Sequence, residues 1–259
     1  MRPAARVVVC ADDFGMAEAV NQAVAELLFS GAINAATCLT RAPAWAEGAG
    51  RLREVRAARP HAMLGLHLDL PSPLTPADRA LAEFRAQWAA FEDDLGARPD
   101  FVDGHRHIHL FPGPRRALFR LLGETGARPW LRQCRTSSTR FSPKRWLLDP
   151  LSDRFRREAG RLSYALNPGF GGLRRFDPLE DVARLWRRDL AAMADGGLLM
   201  VHPGGRDAER LSACRAQEAA LIRAGAIADA LAAAGLALAQ ARTPWDAPAG
   251  RKSTAAARS

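Results

Sequence analysis

The chain has 259 residues, of which 48% are hydrophobic, and a formal net charge of +9 at pH 7. This composition is sufficient for the core of one large α/β domain or two small ones. It has no apolar run of the roughly eighteen residues that a membrane-spanning helix needs, and the N-terminus enters a strand-like valine run without a signal-peptide pattern.

The four cysteines are far apart and form no CxxC pair; they are Cys10, Cys38, Cys134 and Cys214. This spacing argues against a thiolate zinc site and against a disulfide framework. We therefore expect reduced cysteines and a cytoplasmic protein.

Arginine carries almost all of the positive charge, since Lys144 and Lys252 are the only lysines. Such a charge attracts phosphates, nucleic acid or an acidic lipid surface, although a solvated basic surface explains it equally well. The densest basic group consists of Arg128, Arg132, Arg135 and Arg140. No nucleic-acid motif accompanies it, so no nucleic-acid partner is expected.

The first predicted strand covers residues 6–11 and ends at two carboxylates, Asp12 and Asp13. Hydrophobic runs predict further strands at 35–39, 63–70, 100–102, 130–132, 162–166, 198–201 and 236–239. Helical spacing predicts helices at 16–29, 43–58, 76–95, 114–125, 177–194 and 212–234. Residues 136–161 have the weakest pattern and are expected to form an irregular helix with loops.

Strand and helix alternate about seven times without an internal sequence repeat, which indicates parallel strands with crossover helices. The polar residues follow strands that are spread along the whole chain. This arrangement favours an irregular or incomplete TIM-like (β/α) barrel over a doubly wound sheet. We expect a single domain over residues 1–242 and a disordered tail over 243–259.

A dense histidine cluster lies within residues 103–109, DGHRHIH. If this stretch continues the strand at 100–102, its alternate side chains share one face. Those side chains are Asp103, His105, His107 and His109. Imidazole and carboxylate are ligands for Zn²⁺ and similar divalent ions, so the stretch is a candidate metal site.

Two other strand ends carry histidine, His67 and His202. One carboxylate of the Asp12 and Asp13 pair, His67 and one histidine of the cluster would give three protein ligands with open positions for water and substrate. The neighbouring carboxylate could then act as a base, and His202 as an acid. Such an assembly hydrolyses an amide or an ester.

Four motifs together resemble those of the YdjC-like carbohydrate deacetylases: ADDFG at 11–15, GLHL at 65–68, DGHRHIH at 103–109 and HPG at 202–204. The resemblance runs from about Arg6 to the last helix. It implies an irregular (β/α) barrel and a hydrolase that removes the N-acetyl group from an amino sugar. The implied cofactor is one divalent metal ion, Mg²⁺ or Zn²⁺.

The resemblance also assigns residues. By motif, Asp13, His67 and His105 are the implied metal ligands, Asp12 the implied base and His202 the implied acid. The implied substrate contacts are Arg132, His107 and His109, of which Arg132 could instead orient a carboxylate and the two histidines could instead support the ligands. The pattern of the glycine-rich loop at 167–172 places that loop on the substrate side, which adds Asn167 and Gly169.

The net charge and the glycine-rich loop at 167–172 suggest a lipid-linked or polyprenyl-phosphate-linked amino sugar as one form of the substrate. This form would bring the protein to the inner surface of the membrane. A metal-dependent phosphoesterase on a similar barrel is the alternative function, and a binding protein for a glycan or nucleic acid is a third. The sequence gives no oligomeric state.

Overall fold

A computed structural model describes residues 5–137, 143–207 and 210–240. The predicted tail at 243–259 and Arg140 of the basic group lie outside these residues. The strands are β1 Ala5–Phe14, β2 Ala35–Cys38, β3 Met63–Leu68, β4 Phe101–Gly104, β5 Trp130–Leu131, β6 Phe170–Gly171, β7 Leu198–Val201 and β8 Leu236–Leu238.

The helices alternate with the strands and pack on the sheet. They are α1 Glu18–Ser30, α2 Trp45–Ala58, α3 Ala77–Leu95, α4 Pro112–Thr125, α5 Pro143–Arg161, α6 Val182–Ala191, α7 Ser212–Arg223 and α8 Ala226–Ala234. A 3₁₀ segment, His105–Leu110, follows β4.

Seven strands form one curled parallel sheet in the order β5-β4-β3-β2-β1-β7-β6, with β8 beside the start of β1, within the residues described. The apolar strand residues Val7, Val8 and Val9 are fully buried. Burial on both faces explains why these strands read as continuous apolar runs. The single-domain α/β prediction is therefore confirmed, with an incomplete barrel as its form.

The edge strands β5 and β6 approach each other without forming a regular ladder. Two isolated parallel bridges span the seam, Leu131 with Leu166 and Thr136 with Phe170. The strand predicted at 162–166 is therefore wrong, because only Leu166 pairs there and the ladder with β7 begins at Phe170.

Two predicted helices also differ from the structure. The helix predicted at 177–194 begins only at Val182, because the Asp177 side chain accepts a hydrogen bond from the Leu179 amide and forms a local turn. The helix predicted at 212–234 is divided into α7 and α8, since Gly225 adopts a left-handed conformation (φ 88°).

The region with the weakest sequence pattern contains a long helix. α5 covers 19 residues and includes Pro150.

All four cysteines are buried and free, as expected for reduced thiols. No helix among the described residues combines the length and the apolar character needed to cross a membrane.

Candidate active site

The end of β1 is distorted where the two carboxylates lie. The pairing of β1 with β2 shifts register between Ala11 and Phe14, and Asp13 has a left-handed backbone (φ 74°). A bulge of this kind redirects side chains that a regular strand would place on opposite faces. Asp12 and Asp13 are both buried, and both line one pocket.

Asp13 meets two histidines at the floor of this pocket. Its Oδ1 lies 2.9 Å from His105 Nδ1 and 3.4 Å from His67 Nε2. One ligand atom from each of the three residues lies within 4.8 Å of the others. The other ring nitrogen of His67, Nδ1, lies 2.5 Å from Asp103 Oδ1, an arrangement that fixes the ring and leaves Nε2 for a metal ion.

The charges at this floor favour a bound cation. Burial opposes protonation of His67, but the carboxylates of Asp103 and then Asp13 raise the pKa of His67 to about 10. Burial likewise opposes ionisation of Asp13, while hydrogen bonds from His105 and His67 and the charge of Arg215 keep its pKa well below the usual range. The carboxylates thus attract positive charge to this site. Carboxylate and imidazole groups placed together in this way fit a divalent metal ion.

Asp12 is held by a different partner. Both of its oxygens accept hydrogen bonds from Arg132, at 2.6 Å and 2.7 Å, and Arg132 Nε forms an ion pair with Asp103 Oδ2 at 2.8 Å. Burial raises the pKa of Asp12, but the guanidinium of Arg132 outweighs burial and keeps that pKa well below its usual range. Asp12 is therefore an anion that is fixed in position.

The histidine stretch is not an extended strand, so the prediction of a shared face is wrong. β4 ends at Gly104, and Arg106 and His107 adopt left-handed conformations (φ 52° and 61°) inside the 3₁₀ segment. These conformations break the alternation of a strand. His105 reaches Asp13, and His107 lines the pocket with Nδ1 at 3.4 Å from Cys134 Sγ.

His109 points away from the pocket and is fully buried. Its Nε2 donates to the backbone oxygen of Arg132 at 2.9 Å, and its ring packs edge-on against Phe155 at 5.3 Å. Arg132 is also absent from the pocket wall and instead orients two carboxylates. Neither side chain lines this pocket, and their contact with a substrate stays a prediction.

Asn167 and Gly169 do not line the pocket either. The Asn167 side chain accepts from the Gln133 amide (2.8 Å) and donates to the carbonyls of Gln133 (3.0 Å) and Gly169 (2.8 Å). The Gly169 carbonyl also accepts from the Leu198 amide at 2.9 Å. These groups connect the seam of the barrel, and their contact with substrate stays a prediction.

His202 lies at the end of β7 and lines the same pocket. Its Nδ1 is buried without a hydrogen-bond partner among the described residues, and its ring packs edge-on against Phe176 at 4.8 Å. Burial lowers the pKa of His202, against the opposing charges of Asp13, Glu218 and Asp12. A buried polar atom without a partner, in a pocket, is suited to a substrate contact.

Sequence reasoning missed Arg215, which lies on α7. Its Nη2 donates to Asp13 Oδ2 at 2.7 Å. Glu218, one turn further, accepts from the His202 amide and pairs with Arg174, each at 2.6 Å. The sequence pattern held a signal for both residues. Arg215 and Glu218 fall at buried positions of α7, on the face that also carries Cys214, Ala219 and Ile222.

The pocket has a volume of about 490 Å³. Its floor is polar, and most of its wall is apolar, formed by Met16, Phe111, Leu147, Leu148, Leu173, Phe176, Met200 and Leu211. A small polar centre within an apolar wall is typical of a small-molecule site.

Residues 6–233 match the model of the YdjC-like protein family. The chain belongs to the YdjC-like family.

Two curated relatives carry an activity in their names. The chain is 30% identical over 146 residues to the human carbohydrate deacetylase, covering 43% of each protein. It is 28% identical over 132 residues to the chitooligosaccharide deacetylase of Citrobacter koseri, covering 41% of this chain and 51% of that one. The matches therefore span about half the length of these relatives or less.

One solved structure shares the fold over almost its whole length. It is a protein of Enterococcus faecalis V583 described as a cellobiose-phosphate cleavage protein, with a TM-score of 0.70 and 17% sequence identity. The match covers 92% of this chain and 97% of that one. At this identity the likeness supports the fold and does not extend to the activity.

Proposed function

We propose that this chain is a metal-dependent carbohydrate deacetylase that removes the N-acetyl group from an N-acetylated amino sugar. One observation carries the proposal: the ligand atoms of Asp13, His67 and His105 converge at the floor of a pocket that Asp12 and His202 also line. Family membership and the names of the two relatives support the same activity.

Asp13, His67 and His105 would hold one divalent metal ion. Two imidazoles and one carboxylate form a donor set that favours Zn²⁺ over Mg²⁺, which prefers oxygen ligands and water. When bound, such an ion polarises the acetyl carbonyl and lowers the pKa of its bound water to about 7.

The protein groups around the metal site divide the proton transfers. Asp12, held as an anion by Arg132, accepts a proton from the attacking water. His202 would donate a proton to the amide nitrogen as the C–N bond breaks, and the charges of Asp13, Glu218 and Asp12 favour its protonated form against the effect of burial. The products are acetate and the free amine of the sugar.

A phosphoesterase with two metal ions is less compatible with this site. The second group of possible ligands is Asp12, His67 and Asp103. Arg132 already binds both of these carboxylates, so a second cation would have to displace a buried guanidinium. This arrangement supports one metal ion and the deacetylase.

A lipid-linked form of the sugar and a position at the membrane surface remain predictions from the net charge of +9. The geometry of the metal site provides no observation that bears on either prediction.

Acetate release tests the proposed function directly. The substrates would be N-acetylglucosamine and N-acetylgalactosamine in free, oligomeric and polyprenyl-phosphate-linked forms, each with and without a chelator. We expect acetate from at least one substrate, loss of activity with chelator and recovery with Zn²⁺. Metal-loaded protein that releases phosphate from a phosphate ester, and no acetate from any of these substrates, would establish the phosphoesterase instead.

A further inference from the structure

Helix α7 places a buried carboxylate, Glu218, beside the end of β7. Glu218 is 1% exposed, and its Oε2 accepts the backbone amide of His202 at 2.6 Å. His202 is the residue after β7, and the pairing of β7 with β1 ends one position earlier, at Val201. Glu218 therefore fixes the point at which the His202 side chain leaves the backbone.

The other oxygen of Glu218 binds Arg174, which lies in the segment that follows β6. Arg174 Nη1 donates to Glu218 Oε1 at 2.6 Å, and both side chains are buried. The guanidinium of Arg174 lies 5.1 Å from the centre of the Phe176 ring, and its Nη2 donates to the Asp177 carbonyl at 3.4 Å. Arg174 thus connects Glu218 to the segment that carries Phe176.

Phe176 is the side chain that packs on the His202 ring, edge-on at 4.8 Å. Its backbone is left-handed (φ 61°), which is rare for a bulky residue and requires support from the surrounding structure. Part of that support comes from α7, since Cys214 Sγ donates to the Phe176 carbonyl at 3.3 Å. His202 Nδ1 has no hydrogen-bond partner among the described residues, so this packing contributes to the orientation of the ring.

We propose that Glu218 is a positioning residue for the general acid: it holds the His202 backbone directly and the Phe176 ring through Arg174. The inference rests on the proposed deacetylase function, in which His202 protonates the leaving nitrogen. Glu218 does not line the pocket, so it acts through His202 and not on the substrate. A general acid contributes about 10² to 10⁴-fold to the rate, and a misoriented imidazole loses part of that contribution.

The test compares two substrates that differ in their need for an acid. An N-acetylated amino sugar has a basic leaving nitrogen, which must be protonated as the C–N bond breaks. 4-Nitrophenyl acetate has the same acetyl group, but its leaving phenolate is weakly basic and departs without a proton. Loss of the acid should therefore slow the amide and spare the ester, whereas damage to the fold or to the metal site should slow both.

Two variants disturb the contact in different ways. Glu218→Gln keeps an oxygen for the His202 amide but loses the charge that binds Arg174. Arg174 keeps a counter-ion in this variant, because its Nε lies 3.3 Å from Glu180 Oε2. Phe176→Leu removes the ring from His202 without changing the charges, so it tests the same contact if Glu218→Gln does not fold.

Glu158→Gln is the matched control, because Glu158 pairs with Arg115 at 2.8 Å on α5 and does not line the pocket. We expect kcat for the amide to fall by about tenfold or more in Glu218→Gln and Phe176→Leu. The ester rate and the metal content should stay near wild type. Rates are compared at the pH optimum of each protein, since the charge of Glu218 also raises the pKa of His202. Equal losses for amide and ester, or an unchanged amide rate in Glu218→Gln, would overturn the proposal.

The NMR signal of the His202 ring separates failure of this inference from failure of the proposed function, because it needs no turnover. The signal is identified by its absence in His202→Gln and is measured in alkaline solution, where the imidazole is neutral. In Glu218→Gln it should move towards its position in Phe176→Leu, while Glu158→Gln should leave it in place. An unmoved signal would reject the role of Glu218 whether or not acetate is released. A moved signal, with no acetate from any amide, would retain that role and reject the deacetylase.

Discussion

Arg132 is the residue that organises the charges of the site. It is 1% exposed, binds both oxygens of Asp12, pairs with Asp103 and lies 3.1 Å from Cys10 Sγ. Asp103 in turn orients His67. A planar guanidinium can satisfy two carboxylates in this way, whereas an ammonium cannot match the geometry.

Replacing Arg132 should be costly. Arg132→Met would leave two buried carboxylates without their counter-ion, so we expect a loss of about 3–5 kcal/mol in the free energy of unfolding, measured with urea. Arg85→Met is the matched control, since Arg85 binds Glu124 through two contacts on the surface. Its stability should stay close to that of the wild type, because an exposed ion pair contributes little. Equal losses in the two variants would show that the buried network contributes no special stability.

The roles of Asp12 and Asp13 can be separated by metal content. Asp13→Ala and His105→Ala should lose bound metal and activity, because each removes a proposed ligand. Asp12→Asn should keep the metal and lose turnover, because the amide cannot accept the proton from water. Elemental analysis together with acetate release provides both measurements. Metal loss in Asp12→Asn and retention in Asp13→Asn would reverse the assignment.

At the scale of elements, the decisive feature is the turn that follows β1. Gly15 adopts φ 97°, and its amide donates to the buried side chain of Asn21 at 2.6 Å. Asn21 also donates to the Ala44 carbonyl at 2.8 Å. This anchored turn holds Asp13 in its left-handed conformation and so directs its carboxylate to the histidines.

Gly15→Ala should disturb this turn. A Cβ at Gly15 would lie 2.7 Å from the Leu39 carbonyl oxygen, and the backbone conformation disfavours any side chain. We expect a loss of about 1–3 kcal/mol in stability together with weaker metal binding. Gly123→Ala is the control: a Cβ there meets nothing within 4 Å, and alanine favours the helix. A Gly15→Ala protein as stable as wild type would contradict the proposed strain.

Some elements were predictable because their signals are local. The apolar runs predicted β1, β3 and β7 and placed Asp12, His67 and His202 at or near strand ends, where the structure places them. The 3₁₀ segment was not predictable, since left-handed Arg106 and His107 have no local sequence signal and follow from tertiary packing. Gly225 was a local sequence signal for the break between α7 and α8. The helical spacing of the residues on both sides of Gly225 nevertheless predicted one continuous helix.

At the scale of the whole molecule, the barrel seam depends on side chains more than on a strand ladder. Asn167 spans the seam with three hydrogen bonds to backbone groups of Gln133 and Gly169. Buried backbone groups need such partners, because each unsatisfied one is destabilising. Asn167 therefore stabilises the seam of the barrel in this structure.

Asn167→Ala should lower the free energy of unfolding by about 1–3 kcal/mol, because the buried Gln133 amide loses its acceptor. KM for the best substrate should stay near the wild-type value, since Asn167 does not line the pocket. Gln22→Ala, at an exposed position on α1, should change stability by less than about 0.5 kcal/mol. A large rise in KM without loss of stability would restore Asn167 as a substrate contact.

The sequence by itself determined the alternation of strand and helix, the parallel sheet and the strand ends at which polar residues gather, because periodicity and turn residues are local properties. Only the tertiary structure decided which charges meet. Asp12 pairs with Arg132 across 120 positions, and Asp13 with Arg215 across 202. Such pairs depend on strand order and helix packing, which bring distant residues together and bury them in a medium where an unpaired charge is unstable.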